Sequence, residues 1–190
     1  MRHEFSENSS PSKSDTWERT LQRVESLVDK LGKRVDSGIK ETVTALKCAG
    51  FDTDASCEGH LDSKLKAPWV DLVFIPNEIR QHLREVQRGT RKGEQISEEE
   101  ARLLAEAKVK LLAGEARLLD LLDDFYEGRN SPNWKRLVVR FHPDSARLLS
   151  QAAEVQDLYV PNVRQARLKE FQHEIEAFTE FLKQRFLSEP

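Results

Sequence analysis

The chain has 190 residues, 38% of them hydrophobic and 33% charged, which suits one patterned core and excludes a membrane-embedded protein, since no apolar run approaches the roughly 18 residues a spanning helix needs. Thirty Lys and Arg against 33 Asp and Glu give a net charge of -3, an argument against a nonspecific nucleic-acid binder as a whole. Two cysteines exclude a disulfide scaffold and a self-contained four-cysteine zinc module, and the start from Met1 to Ser6 lacks an apolar signal core, so the expected location is cytoplasmic.

Residues 1–14 are polar and aperiodic and read as a disordered tail. A single α+β domain is expected over 15–190. Trp17, Leu21, Val24, Val28, Leu31 and Val35 alternate steps of four and three, one stripe of a helix over 17–35. Its heptad spacing also suits pairing with another subunit, so a homo-oligomer through this helix is one expectation. Asp36-Ser37-Gly38 reads as a break and a new N-cap before Ile39, Val43 and Leu46. Gly50 sits where a C-cap glycine belongs, with Phe51 as the apolar residue that packs back.

The period then changes. Phe51, Thr53, Ala55 and Cys57 alternate with polar residues as in a half-buried strand. Glu58-Gly59-His60 ends it, and a polar connection leads to a second strand over 69–75, apolar on both faces except at Asp71. Pro76-Asn77 opens a short helix, residues 89–93 form a basic loop, and Ser97 to Glu100 is a capping box opening a long helix over 97–127. A third strand is predicted over 134–141. His142-Pro143-Asp144 then turns the chain into a helix bearing Leu148, Leu149, Ala152 and Val155, and Asn162 caps a last helix over 162–187. The expected architecture is α+β: an antiparallel sheet of about three strands covered by helices, with the long helices forming a hairpin or bundle.

The segment with chemical character is Ser56-Cys57-Glu58-Gly59-His60. Gly59 permits a positive φ and a tight turn that returns His60 toward Cys57. Cys and His within hydrogen-bond reach are the ingredients of a thiolate nucleophile with its base, because an imidazolium lowers a thiol pKa. The same pair offers two ligands to zinc or another transition metal. Cys57, His60 and Glu58 are therefore the candidate catalytic residues, with Cys57 and His60 the candidate metal ligands. The alternative is a small buried thiol beside an ordinary turn. Ser56, Gly59, Trp69 and Asp71 complete the candidate ligand site, because Trp69 and Asp71 begin the partner strand and supply an aromatic wall and a carboxylate. His142 joins them at the predicted helix start, where free N–H groups attract anions. Arg136 and Arg140, in a stretch free of acids, suggest a phosphate-bearing ligand or a nucleotide, with nucleic acid the less favoured partner.

A strand followed by Ser56-Cys57-x-Gly59 and a basic residue, then a strand carrying Trp69, resembles the signature of the wybutosine-synthesis tRNA methyltransferase family. There Ser-Cys-Ser-Gly-Arg follows a strand; here His60 replaces the arginine and Glu58 the small residue. The resemblance implies an S-adenosylmethionine or RNA site near the turn. The segment also resembles small uncharacterised bacterial proteins with a Ser-Cys-Glu-Gly-His turn, a likeness that brings no activity with it.

The chain contains no Gly-x-x-x-x-Gly-Lys-[Ser/Thr], Gly-x-Gly-x-x-Gly, Gly-x-Ser-x-Gly or His-Glu-x-x-His, which disfavours nucleotide-loop enzymes, serine-elbow hydrolases and helix-borne zinc proteases. Three readings follow: a ligand-binding or catalytic site at the Cys57 turn, a helical interaction protein with a purely structural sheet, and an RNA- or nucleotide-binding protein.

Overall fold

Ser12 opens the first helix, α1 (Lys13–Ser26), through a reciprocal capping box with Asp15. The computed structural model describes residues 11–29, 31–63, 65–92 and 95–188. Most of the expected disordered tail lies outside them, but Lys13 and Ser14 are helical. The helix also stops nine residues before Val35. The Asp29 carboxylate accepts the Leu31 and Lys33 N–H groups, each at 2.8 Å. Gly32 takes φ 76° and Val28 bridges to Arg34. A local side-chain turn of this kind competes with helix and here wins. The predicted stripe is therefore cut: Trp17 and Val24 are buried, whereas Val28 and Leu31 are 59% and 91% exposed.

A 3-10 turn (Ser37–Ile39) leads into α2 (Lys40–Cys48). Its end is as the sequence predicts: Gly50 takes φ 78°, and the Phe51 N–H reaches back to the Leu46 carbonyl at 2.9 Å.

The sheet has four antiparallel strands, β1 (Asp52–Cys57), β2 (Trp69–Val73), β3 (Leu137–His142) and β4 (Ser145–Ser150), in the order β1-β2-β4-β3. Two boundaries depart from expectation. Residues 133–135 form a 3-10 turn, so β3 begins at Leu137 rather than Trp134. The helix expected after Asp144 is instead strand β4, hairpinned to β3. Ala146, Leu148, Leu149 and Ser150 are all buried, and a short run apolar on both faces lacks the alternation that separates strand from helix. In β1 the register slips between Thr53 and Ala55. The bulge breaks the expected parity and leaves Ala55 exposed.

Helix α3 (Asn77–Arg91) runs through Gly89, where a basic loop was expected to begin; Gly93 lies outside the described residues. Helix α4 (Glu98–Tyr126) starts at the predicted capping box, and α5 (Pro161–Ser188) closes the chain. The main core lies between one sheet face (Val70, Leu72, Leu148) and Trp17, Val43, Leu118, Phe125, Ile175 and Phe178 of the helices. Phe125 packs edge-on to Phe178 at 5.2 Å, joining the two long helices. A smaller cluster on the other face joins Leu149, Trp69, Trp134 and Val138 to Phe171 of α5. No helix among the described residues is long and apolar enough to cross a membrane.

Candidate metal centre

β1 ends on Cys57, directly opposite Trp69 of β2. The chain then turns at Gly59, whose φ of 85° is open to glycine almost alone. The turn is also crowded: a Cβ on Gly59 would stand 2.7 Å from the Ala67 carbonyl carbon and 2.8 Å from the Pro68 nitrogen. The connection to β2 is thus folded tightly over the turn. Ser63 fastens it further by donating to the His60 carbonyl at 2.8 Å.

The other half of the site arrives from the segment before α2. Asp36 is the N-cap of the 3-10 turn, yet its side chain caps nothing there. It faces β1 instead, accepting the Glu58 N–H at 3.3 Å and standing 3.4 Å from His60 Nε2. Glu58 returns the link, its Oε2 accepting the Gly38 N–H at 2.6 Å. A Cβ on Gly38 would stand 2.8 Å from that oxygen, so a larger residue there would displace the Glu58 carboxylate. Gln172 of α5 donates to the Glu58 carbonyl at 3.1 Å and holds the turn from behind.

These links bring a carboxylate oxygen of Asp36, Sγ of Cys57 and an imidazole nitrogen of His60 within 4.8 Å of one another. All three residues are half-buried. Bonds of about 2.0–2.3 Å in a tetrahedral zinc site put ligand atoms roughly 3.3–3.8 Å apart, so a small closure completes the geometry. A carboxylate, a thiolate and an imidazole form a borderline-soft set suited to zinc and neighbouring transition metals. Three protein ligands leave one position open.

The electrostatics describe the metal-free state. Burial pushes the Cys57 thiol up, and the Asp36 carboxylate beside it adds to the rise, against the Gly59 N–H that donates to its sulfur. The thiol is therefore protonated at neutral pH, the reverse of what a free-standing nucleophile needs. Burial alone would raise Asp36 as well, but the Glu58 N–H, the His60 ring and the Lys33 ammonium outweigh it and hold the carboxyl below its ordinary value.

No family model matches the chain, and no curated protein or solved structure matches it either.

The other expected site residues divide. Ser56 and Trp69 line a groove of about 410 Å³ beside the triad, together with Asp36, Lys33 and Arg34. Asp71 stands apart from this group: its two carboxylate oxygens accept Arg147 Nε and an Arg147 terminal nitrogen at 2.6 and 2.8 Å. That arginine also lies 4.2 Å over the Trp69 ring, covering part of the expected aromatic wall. His142 pairs with Ser145 at the β3–β4 hairpin, the far end of the sheet from Cys57, and no helix begins there. Arg136 donates to the Ser131 carbonyl and lies over the Tyr126 ring. Arg140 lies 3.6 Å from Glu154. The two expected phosphate contacts are thus engaged within the chain, on or just before β3, which β2 and β4 separate from β1. Sequence reasoning missed Asp36, which it read as a helix cap. The only signal was its position in a polar break, and its redirection toward β1 depends on tertiary packing.

Proposed function

We propose that this chain binds a divalent transition metal, zinc by its donor set, through Asp36, Cys57 and His60, with the open position serving a water or small-molecule donor in the groove walled by Trp69 and Ser56. The observation that carries this reading is the convergence of three chemically different ligand atoms from two distant stretches. The groove supports it, because it brings the cations Lys33 and Arg34 and one aromatic face beside that position. Glu58 acts as a positioning residue, tying the turn to Gly38. The raised Cys57 thiol fits a ligand that gives up its proton to a metal rather than a preformed thiolate. A cytoplasmic setting fits two cysteines that are both unpaired.

The test is cobalt substitution. Metal-free protein titrated with Co²⁺ gains a thiolate-to-cobalt charge-transfer band that saturates at one equivalent. Asp36→Ala and His60→Ala each weaken binding by more than the roughly 10- to 100-fold that loss of an outer-shell partner costs, and Cys57→Ser removes the band. Cobalt held equally well by Cys57→Ser, or no saturable band in the folded wild type, overturns the assignment.

A further inference from the structure

Helix α4 has two apolar faces, and the fold uses only one. Ala107, Leu118, Leu122 and Phe125 are buried against the rest of the chain. On the opposite side Ala105, Val109, Leu112, Ala116 and Leu119 are all exposed, Val109 at 67% and Leu112 at 53%. Their steps of four and three make an unbroken seam about 21 Å long at 1.5 Å per residue. Isolated exposed apolar residues are ordinary, but a contiguous seam marks an interaction surface.

The charges flanking this seam choose its occupant. On a helical wheel Arg102 and Asp120 lie along one flank, and Lys108 and Glu115 along the other. All but half-buried Glu115 are exposed. On each flank the basic residue precedes the acidic one, and although Arg102 also lies 3.7 Å from Glu106 of its own helix, Lys108 sets positive charge beside the first half of the seam while Glu115 and Asp120 set negative charge beside the second. A parallel copy sets like against like. An antiparallel copy sets opposites together, and every pairing then shares one axis.

We infer that the chain forms a two-fold symmetric homodimer by antiparallel packing of α4 against α4 of a second copy, with the axis crossing at the height of Leu111. In that register Val109 faces Leu112 of the second copy, and Ala105 faces Ala116. Arg102 meets Asp120 and Lys108 meets Glu115. Because the interface is isologous, each contact occurs twice. The alanine layers let the helices approach closely. Glu115, whose carboxyl is raised by burial, gains Lys108 of the second copy. The heptad stripe of residues 17–35 is not this surface, since α1 ends at Ser26 and turns Trp17 and Val24 into its own core.

Sedimentation velocity over a concentration series tests the dimer on the full chain. The wild type shows a reversible monomer–dimer equilibrium. Leu112→Glu is monomeric throughout with an unchanged circular dichroism spectrum, its side chain being exposed in the monomer. Lys108→Glu raises the dissociation constant about tenfold, since the repulsive pair occurs twice. Adding Glu115→Lys to Lys108→Glu restores it. A wild type that stays monomeric at the highest attainable concentration overturns the inference. So does a dimer indifferent to Leu112→Glu, or a double variant no tighter than Lys108→Glu alone, which would break the antiparallel register.

Discussion

Two polar clusters touch β1 from opposite ends, and they are built on opposite principles. At the hairpin end Arg80 of α3, only 5% exposed, donates to Asp54 at 2.9 Å and lies 3.6 Å from Asp144. Arg84 donates to the same Asp144 oxygen at 2.6 Å. Two cations meet two carboxylates, so the cluster is closed in charge, although the buried Arg80 Nε makes no hydrogen bond: α3 is fastened to the β1 bulge and the β3–β4 turn. At the Cys57 end the Asp36 carboxylate accepts the Glu58 N–H at 3.3 Å and stands 3.4 Å from His60 Nε2, with the Cys57 sulfur within 4.8 Å of both side chains. Its cation, Lys33, is 3.7 Å away with a side chain 70% exposed. A closed cluster contributes to stability, whereas a loose one of good metal donors keeps coordination capacity in reserve. The same contrast explains Asp71: both its oxygens are held by Arg147, so a ligand there would have to compete with a bidentate ion pair.

The sharpest break in this comparison comes from backbone rather than charge. Gly59→Ala must force a left-handed residue into contact with the Ala67–Pro68 peptide, and strain plus overpacking cost about 4 kcal/mol. Gly32→Ala has a similar φ of 76° but nothing within 4 Å of the new Cβ, so it costs only about 1 kcal/mol. Urea unfolding midpoints at unchanged slope measure both. Equal effects would show that the close approach over the metal turn contributes little.

The closed cluster is next. Asp144→Ala leaves buried Arg80 with Asp54 alone and releases Arg84, a loss of about 2 kcal/mol. Cobalt binding at the far end stays at wild-type affinity, because the two sites share no partner. A large loss of metal affinity in this variant would mean that the two ends of β1 are coupled.

The unequal legibility of the two ends has a physical cause. Caps, glycine turns and helical periods are local, which is why the Ser97–Glu100 box, the Gly50–Phe51 stop and the Gly59 turn all stand where the sequence places them. β4 was hidden because Leu148 and Leu149 are buried on both faces, leaving no period to read. Two of the three triad residues were legible, since Cys57 and His60 are three residues apart across one glycine. Asp36 comes from 21 residues before Cys57, and its local spacing marks it only as a cap. Strand order, which separates His142, Arg136 and Arg140 from the turn, is set by pairing partners distant in sequence. The exposed seam of α4 was masked by its stronger neighbour, the seven-residue repeat of Leu104, Leu111, Leu118 and Phe125 on the other face, half-buried at its start and buried at Leu118 and Phe125.

The smallest effects belong to the open cluster, and pH separates its members. In the metal-free protein the Asp36 carboxyl titrates below its ordinary value of 3.8. A group depressed on folding contributes stability that is present above its unfolded pKa and lost as pH falls through the folded one. Asp36→Asn therefore flattens the acid limb of the stability profile. Cys57 titrates above its ordinary 9.0, so the opposite holds: its contribution is complete below pH 9 and declines as pH rises through the folded value. Cys57→Ala flattens the alkaline limb. Metal reverses this bias, because it binds thiolate and must displace the proton. Zinc uptake near neutral pH then releases about one proton from Cys57 in the wild type and none in Cys57→Ser, read with an indicator in weakly buffered solution. In the absence of metal the thiol reacts with iodoacetamide more slowly than it does in the urea-unfolded chain. An alkylation rate in the folded protein above that of the unfolded chain would instead identify Cys57 as a preformed thiolate and place it with the nucleophiles.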